Sequence, residues 1–184
     1  MSQADSMIRY LLGANVIIPF QQAGRLADLV TAAGQVAMAI VDDVFDELTL
    51  PKKPTEPQTK WMVDAERALR GSAVAHIPVF AGSEEDNVRT ALKASVDAGE
   101  AASIAVASRR TDLVFVTEDV RAVQGKPRLY RELPGETGRI MGMHAFLRVL
   151  VERGALSAAS CKAIASVRAL DEPLWWANWF ALNP

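Results

Sequence analysis

Short apolar runs alternate along this chain with segments of helical periodicity, and this alternation restricts the possible fold more than any other feature of the sequence. Short, near-continuous apolar runs are typical of strands that are buried on both faces. Apart from Arg9, such runs occur at 8–12 together with 16–18, 36–41, 76–80 and 113–117. Helical spacing is found at 24–34, 44–48, 61–70, 84–96, 101–110, 141–153 and 157–170. Strands separated by helices predict a mostly parallel central sheet covered by helices on both faces, a three-layer α/β/α sandwich.

The length and the tail of the chain bear on its domain organisation. A chain of 184 residues fits a single hydrophobic core. We expect residues 1–153 to form the main domain and residues 154–184 to form a helical extension packed on it. The extension ends in an aromatic cluster made of Trp175, Trp176, Trp179 and Phe180. If helical, this cluster presents one face, which packs either on the core or against a partner such as a second copy in a homodimer.

Composition narrows the classes of function. The 20 basic and 22 acidic residues give a net charge of -2, so any affinity for nucleic acid would have to come from a local basic patch. Cys161 is the only cysteine, which excludes an internal disulfide and a cysteine-based zinc site and suits a reducing compartment. The first residues do not read as a secretory signal, and no run approaches the roughly 18 apolar residues that span a bilayer. We therefore expect a cytoplasmic protein without a membrane partner.

Three acidic side chains either follow predicted strands or open a helix between them. Glu47 comes within two turns of the strand at 36–41, Glu100 opens a helix, and Asp119 follows the strand at 113–117. Because parallel strands place their carboxyl ends at one edge, these acids could converge there. Converging carboxylates repel one another unless they share a cation, and oxygen ligands suit Mg²⁺ or Mn²⁺. Each acid also has an ordinary role open to it, on an exposed helix face, at a helix N-terminus or as a helix cap.

Basic residues follow Asp119 in the segment that would border these acids. They are Arg121, Lys126, Arg128 and Arg131. Positive side chains beside a carboxylate site could hold the phosphates of a nucleic acid. His76 and His144, by contrast, sit among apolar residues far apart in the sequence, and we expect buried, hydrogen-bonded imidazoles rather than ligands or bases.

Four segments of the chain, taken in order, resemble the PIN-domain family of metal-dependent nucleases. The segments are YLLGANVII at 10–18, VFDELT at 44–49, DAGEAASIAVA at 97–107 and VFVTEDVRA at 114–122. Their order and spacing match the family over most of the chain, from residue 8 to about residue 153. The resemblance implies an α/β sandwich, a Mg²⁺ or Mn²⁺ site, and cleavage of RNA or, less often, DNA. Many bacterial members of the family are toxins that a cognate antitoxin holds inactive.

The resemblance also implies a role for individual residues. Glu47, Glu100 and Asp119 match the metal-binding acids. Thr117 matches a hydroxyl near the site, and Asn15 matches the residue that positions the first acid.

Gly13 occupies the position of that first acid, where the sequence departs from the family. Glycine supplies no ligand, so one cation should bind less tightly and catalysis should fall severely. Three explanations are open: drift of a paralogue, a single deliberate replacement of aspartate because the active protein harms its expression host, and a need for glycine in a tight turn. The other acids and Asn15 are intact, which favours the single replacement.

These observations predict an endonuclease that hydrolyses phosphodiester bonds with a divalent cation, most simply an RNase toxin of a toxin–antitoxin pair, with activity reduced by Gly13. The alternative is a catalytically inactive PIN-like module that binds RNA or protein. A phosphate-handling enzyme of another class lacks support, because no glycine-rich phosphate loop is present.

Overall fold

The structure is a computed structural model that describes residues 9–51, 53, 55–110, 112–118, 140–167, 178, 179 and 181. The strands within these residues are β1 Arg9–Leu12, β2 Met38–Val41, β3 Ala75–Ile77, β4 Leu113–Val116 and β5 Ile140–Met141. The helices within them are α1 Ala14–Gln22, α2 Leu26–Ala33, α3 Asp42–Thr49, α4 Lys60–Arg70, α5 Glu84–Leu92, α6 Ala98–Arg109, α7 Met143–Glu152 and α8 Ala158–Ser166. In this part of the chain no helix has both the length and the apolar character that a bilayer crossing needs.

All five described strands run parallel in one sheet, in the order β3-β2-β1-β4-β5. Helices cover the sheet, so the predicted three-layer α/β/α sandwich is confirmed. β2 and β3 follow one another on one side of β1, and β4 lies on the other side of β1. Leu12 at the end of β1 is paired with Val116 at the end of β4. The direction of winding therefore reverses between β1 and β4, where open parallel sheets form a crevice beyond their carboxyl ends.

Helix α6 packs on the sheet and has the predicted acid Glu100 in its first turn. It packs against β1, β2 and β4 on one side and against α3 and α5 on the other. Every residue from Gly99 to Ser108 is buried, and the many alanines allow the layers to approach closely. The backbone N–H of Leu113 donates to Arg110 O (3.4 Å), so the C-terminal end of α6 leads directly into β4. Since a crossover helix runs antiparallel to the strand that follows, the first turn of α6 lies at the carboxyl edge.

The structure corrects three sequence predictions. Residues 16–18 belong to α1 and not to a strand, because Val16, Ile17 and Phe20 are buried at helical spacing, and a short apolar run does not distinguish the two by itself. Helix α6 begins at Ala98 and includes Gly99 in its first turn, where helical spacing predicted a start at residue 101. Residues Ile140 and Met141 form the edge strand β5, where the apolar pattern predicted the start of a helix.

The described residues after 153 pack on the rest of the described chain. Helix α8 contacts α7 and α1, and its Cys161 and Ile164 are fully buried in the hydrophobic cluster that includes β1. Trp179 is buried in the same cluster, as the core interpretation of the aromatic tail predicts. The other three members of that aromatic cluster, Trp175, Trp176 and Phe180, lie outside the described residues.

We expect Cys161 to resist alkylation in the folded protein. Its burial raises the pKa of the thiol from 9.0 to about 12, and the thiolate is the reactive form. The fold holds the protonated thiol, so the free energy of unfolding should fall as pH rises from 9.0 towards 12. Iodoacetamide labelling followed by mass spectrometry, with and without denaturant, checks this. Labelling of the native protein as fast as of the unfolded chain would contradict it.

Candidate functional site

Gly13 joins the end of β1 to the start of α1 at the carboxyl edge of the sheet, beside the end of β4. Its backbone N–H donates to Val116 O (3.0 Å), and its carbonyl accepts from the N–H of Val16 (3.0 Å) as the N-cap residue of α1. The backbone angles, φ -77° and ψ 158°, are those of extended chain. Any amino acid adopts this conformation, so the explanation that position 13 needs glycine for a tight turn is wrong.

The surroundings of Gly13 leave room for a side chain. A Cβ at this position would lie 3.1 Å from Asn15 Oδ1, 3.3 Å from Val116 O and 3.6 Å from Phe115 Cε2. The closest of these atoms is the end of an amide side chain, and it and the backbone carbonyl of Val116 each need to move by only a few tenths of an ångström. Aspartate is also among the residues preferred at a helix N-cap, a position where Gly13 offers no side-chain acceptor. The fold therefore accommodates an acid at position 13.

Asn15 connects the first turn of α1 to the end of β4. Its Nδ2 donates to Thr117 Oγ1 (3.0 Å), and its Oδ1 accepts from the backbone N–H of Glu118 (3.3 Å). Thr117 is buried. Direct hydrogen bonds thus join two predicted site residues that belong to segments more than 100 residues apart.

We expect Asn15→Ala to lower the free energy of unfolding by about 1–2 kcal/mol, because it removes two partly buried hydrogen bonds. Asn15→Asp should cost less, since its carboxylate still accepts from Glu118 N–H. Chemical denaturation monitored by circular dichroism measures both. A loss below about 0.5 kcal/mol for Asn15→Ala would show that the contact with Thr117 contributes little.

Glu118 has a role that sequence reasoning missed. Its Oε1 accepts a hydrogen bond from the backbone N–H of Met143, so it caps α7 from the end of β4. The N-cap residue of that helix is Gly142, which has no side chain to accept this hydrogen bond. A glycine N-cap has no side chain to accept from the first backbone N–H groups of a helix, which leaves them open to an acceptor from another segment. Gly142 is therefore the one signal in the sequence that could have indicated this contact.

Glu47 reaches from α3 to the first turn of α6. Its Oε1 accepts from the backbone N–H of Gly99 (2.7 Å). The residue is exposed as a whole, but its carboxylate rests against this turn. Burial raises the pKa of the carboxyl, the neighbouring acids Asp97 and Asp43 raise it further, and the hydrogen bond from Gly99 opposes them. The Glu47 carboxylate therefore lies close to the negative charges of Asp97 and Asp43.

Glu100 follows Gly99 directly, and its side chain is buried with only 7% of its surface exposed. The backbone N–H of Glu100 donates to Asp97 Oδ1 (2.9 Å), which makes Asp97 the N-cap of α6. Asp97 was not singled out from the sequence, although an acid or hydroxyl three residues before Glu is a recognised helix-start pattern. The Glu47 carboxylate, which comes from α3, therefore contacts the turn of α6 that carries Glu100.

The other acids of α3 have different neighbours. Asp43 accepts two hydrogen bonds from Arg89 Nη1, at 3.2 and 3.1 Å. Asp42 Oδ1 lies 3.7 Å from Nδ1 of His76. His76 is exposed, so the expectation of a buried imidazole at this position is wrong. His144 is buried as expected. Among the acids of α3, Glu47 is the one whose hydrogen bond is made to α6.

Several predicted site residues lie outside the described part of the chain. They are Asp119, Arg121, Lys126, Arg128 and Arg131. Within the described ranges, which thus exclude Asp119, no group of three or more His, Cys, Asp and Glu side chains could hold a metal ion. Glu47 and Glu100 are the described members of the predicted set, and position 13 carries glycine.

The donor set fits a hard divalent cation. Every predicted ligand is a carboxylate, which is the ligand type of Mg²⁺ and Mn²⁺. Glu100 carries a carboxyl group into a buried position, where charges are usually paired or bound to a metal. Gly13 provides a space lined by Asn15 Oδ1 that an acidic side chain would fill. Among the described residues, the site therefore consists of two carboxylates, Glu47 and Glu100, at the first turn of α6, and a glycine at position 13 beside the topological switch point of an open parallel sheet.

Comparison of the chain with protein-family models, with curated proteins and with solved structures found no match.

Proposed function

We propose that this protein is a metal-dependent endonuclease that hydrolyses phosphodiester bonds, with RNA as the favoured substrate, and that Gly13 reduces its activity. The observation that carries the proposal is that predicted site residues from separate segments of the chain lie in contact at two places, the end of β4 and the first turn of α6. Asn15 is hydrogen-bonded to Thr117 beside a position 13 that accepts a side chain, and Glu47 is hydrogen-bonded beside buried Glu100. These are positions that the PIN-domain resemblance assigns to its site.

In this proposal Glu47, Glu100 and Asp119, together with an acid restored at position 13, would hold one or two ions of Mg²⁺ or Mn²⁺. A divalent cation bound there would lower the pKa of a coordinated water and offset charge on the scissile phosphate. Asn15 and Thr117 orient the end of β4 against the start of α1 through their hydrogen bond. The basic residues after Asp119 would hold the phosphates of the strand.

The experiment is a cleavage assay with Mn²⁺ on single-stranded RNA, structured RNA and DNA. It compares the Gly13 protein with Gly13→Asp, each with and without chelator. Chelator-sensitive cleavage that appears in the Asp variant supports the proposal, and the substrate that is cut identifies the substrate class. If the folded Asp variant leaves every substrate intact, the nuclease proposal fails.

We extend the proposal to a toxin of a toxin–antitoxin pair, on the strength of the family resemblance. The test is inducible expression of Gly13→Asp and Gly13→Asn in a bacterial host. Growth arrest by the Asp variant alone is expected. Normal growth with soluble Asp variant present would count against a toxin and leave the cleavage assay to decide on the nuclease.

Gly13 itself favours a second candidate, a catalytically inactive module that binds RNA or protein. In that case the remaining acids are helix-terminus and surface residues. Calorimetry with Mn²⁺ separates the two candidates, because the module predicts no divalent binding even in Gly13→Asp. Retention of labelled RNA by the Gly13 protein without cleavage would then be the positive result for the module.

A further inference from the structure

Gly99 is the residue on which the Glu47 carboxylate rests. It is the second residue of α6, so its N–H has no acceptor within the helix. Asp97 Oδ1 accepts from the N–H of Glu100 at 2.9 Å, and Glu47 Oε1 accepts from the N–H of Gly99 at 2.7 Å. Two carboxylates, one from a different helix, therefore satisfy adjacent donors at the start of α6.

This contact requires that residue 99 has no side chain. A Cβ on Gly99 would lie 2.6 Å from Glu47 Oε2 and 2.8 Å from both Cδ and Oε1. All three distances are shorter than real Cβ contacts. The backbone of α6 would not have to change, because the Glu47 carboxylate is the end of a flexible side chain and would swing away instead.

We infer that Gly99 is a positioning residue of the proposed metal site, which it completes by admitting the Glu47 carboxylate onto the first turn of α6 next to Glu100. This inference rests on the proposed function. It adds that glycine at 99 serves the placement of Glu47 and is not a requirement of the helix. Glycine stabilises a helix less than alanine does, so a glycine within this turn lowers the stability of α6. The contact with Glu47 explains why glycine is present there.

A double-mutant cycle in thermal unfolding tests the contact without any metal. In the Glu47→Ala background, Gly99→Ala should raise Tm by roughly 2–4 °C, because alanine favours the helix and the three atoms nearest to its Cβ, all from the Glu47 carboxylate, are gone. With Glu47 present, the same change should raise Tm less or lower it, because the hydrogen bond is lost. Equal shifts in the two backgrounds would overturn the inference.

Mn²⁺ binding tests the positioning role. In the Gly13→Asp protein, Gly99→Ala should raise the dissociation constant for Mn²⁺ about tenfold, as loss of an orienting contact does at other metal sites. Electron paramagnetic resonance of free Mn²⁺ in titrations measures this change. Once Glu47→Gln is present, Gly99→Ala should add little further loss. Gly34→Ala is the control, because Gly34 has an ordinary φ of -73° and ends α2, which leads to the opposite edge of the sheet.

The outcomes separate the inference from the proposed function. If Glu47→Gln weakens Mn²⁺ binding and Gly99→Ala does not, the positioning role is wrong while the metal site stands. If Gly99→Ala and Gly34→Ala weaken binding equally, the effect is not specific and the inference is also wrong. If Gly13→Asp binds no Mn²⁺, the metal site itself is refuted, and the inference with it, whatever the thermal cycle shows.

Discussion

Gly13→Asp is expected to raise Mn²⁺-dependent cleavage at least about 100-fold above the level of Gly13→Asn, a difference of roughly 2.7 kcal/mol in the activation free energy. Position 13 already has an extended backbone, and an added Cβ would require shifts of only a few tenths of an ångström, by the end of the Asn15 side chain and by the backbone carbonyl of Val116. Asparagine has nearly the size of aspartate and caps helices equally well. It differs in having no negative charge for a cation, so the pair isolates the charge from the change in shape.

Metal-dependent stability gives the same comparison a second measurement. At a Mn²⁺ concentration 100 times the dissociation constant, binding stabilises the folded state by about 2.7 kcal/mol. This corresponds to a rise in Tm of roughly 5–10 °C for a domain of this size. The rise should occur with Gly13→Asp and be much smaller with Gly13→Asn. Equal responses of the two variants, in cleavage and in Tm, would show that an acid at position 13 is not a metal ligand.

The features that the sequence predicted well depend on neighbours along the chain. Gly34 follows the last residue of α2, at the end of the helical spacing at 24–34, and Ser157, at the start of the spacing at 157–170, accepts from the N–H of Ser160 (3.0 Å) as the N-cap of α8. Each involves residues within one helical turn, where residue type and spacing determine the structure. The parallel sheet followed in the same way from the alternation of short apolar runs with helical segments.

The features that the sequence did not predict depend on residues that are distant along the chain. The contact of Glu47 with Gly99 joins residues 52 positions apart, and that of Glu118 with Met143 joins residues 25 apart. The apolar run at 16–18 was ambiguous for a related reason, because only packing against the rest of the core selects helix over strand. Residue types predicted candidate side chains for the carboxyl edge, but not which backbone group Glu47 or Glu118 contacts.

Glu100→Gln, made in the Gly13→Asp protein, is expected to reduce cleavage about 100-fold or more and to weaken Mn²⁺ binding in parallel. Glutamine keeps the shape of the side chain and its place in the first turn of α6 but cannot act as an anionic ligand. Glu100 is buried in the first turn of α6, so its charge cannot be replaced by that of a mobile surface residue.

Glu84→Gln is the matched control for Glu100→Gln. Glu84 also lies in the first turn of a helix, α5, but its side chain is 79% exposed and pairs with Arg109 (3.4 Å). Both substitutions remove a charge that favours a helix start, an effect of about 0.3–1 kcal/mol on stability. If Glu100 served only its helix, the two variants would cleave alike. A loss of Mn²⁺ affinity and cleavage confined to Glu100→Gln would assign the buried carboxylate to the cation, because the helix-start effect is common to both variants.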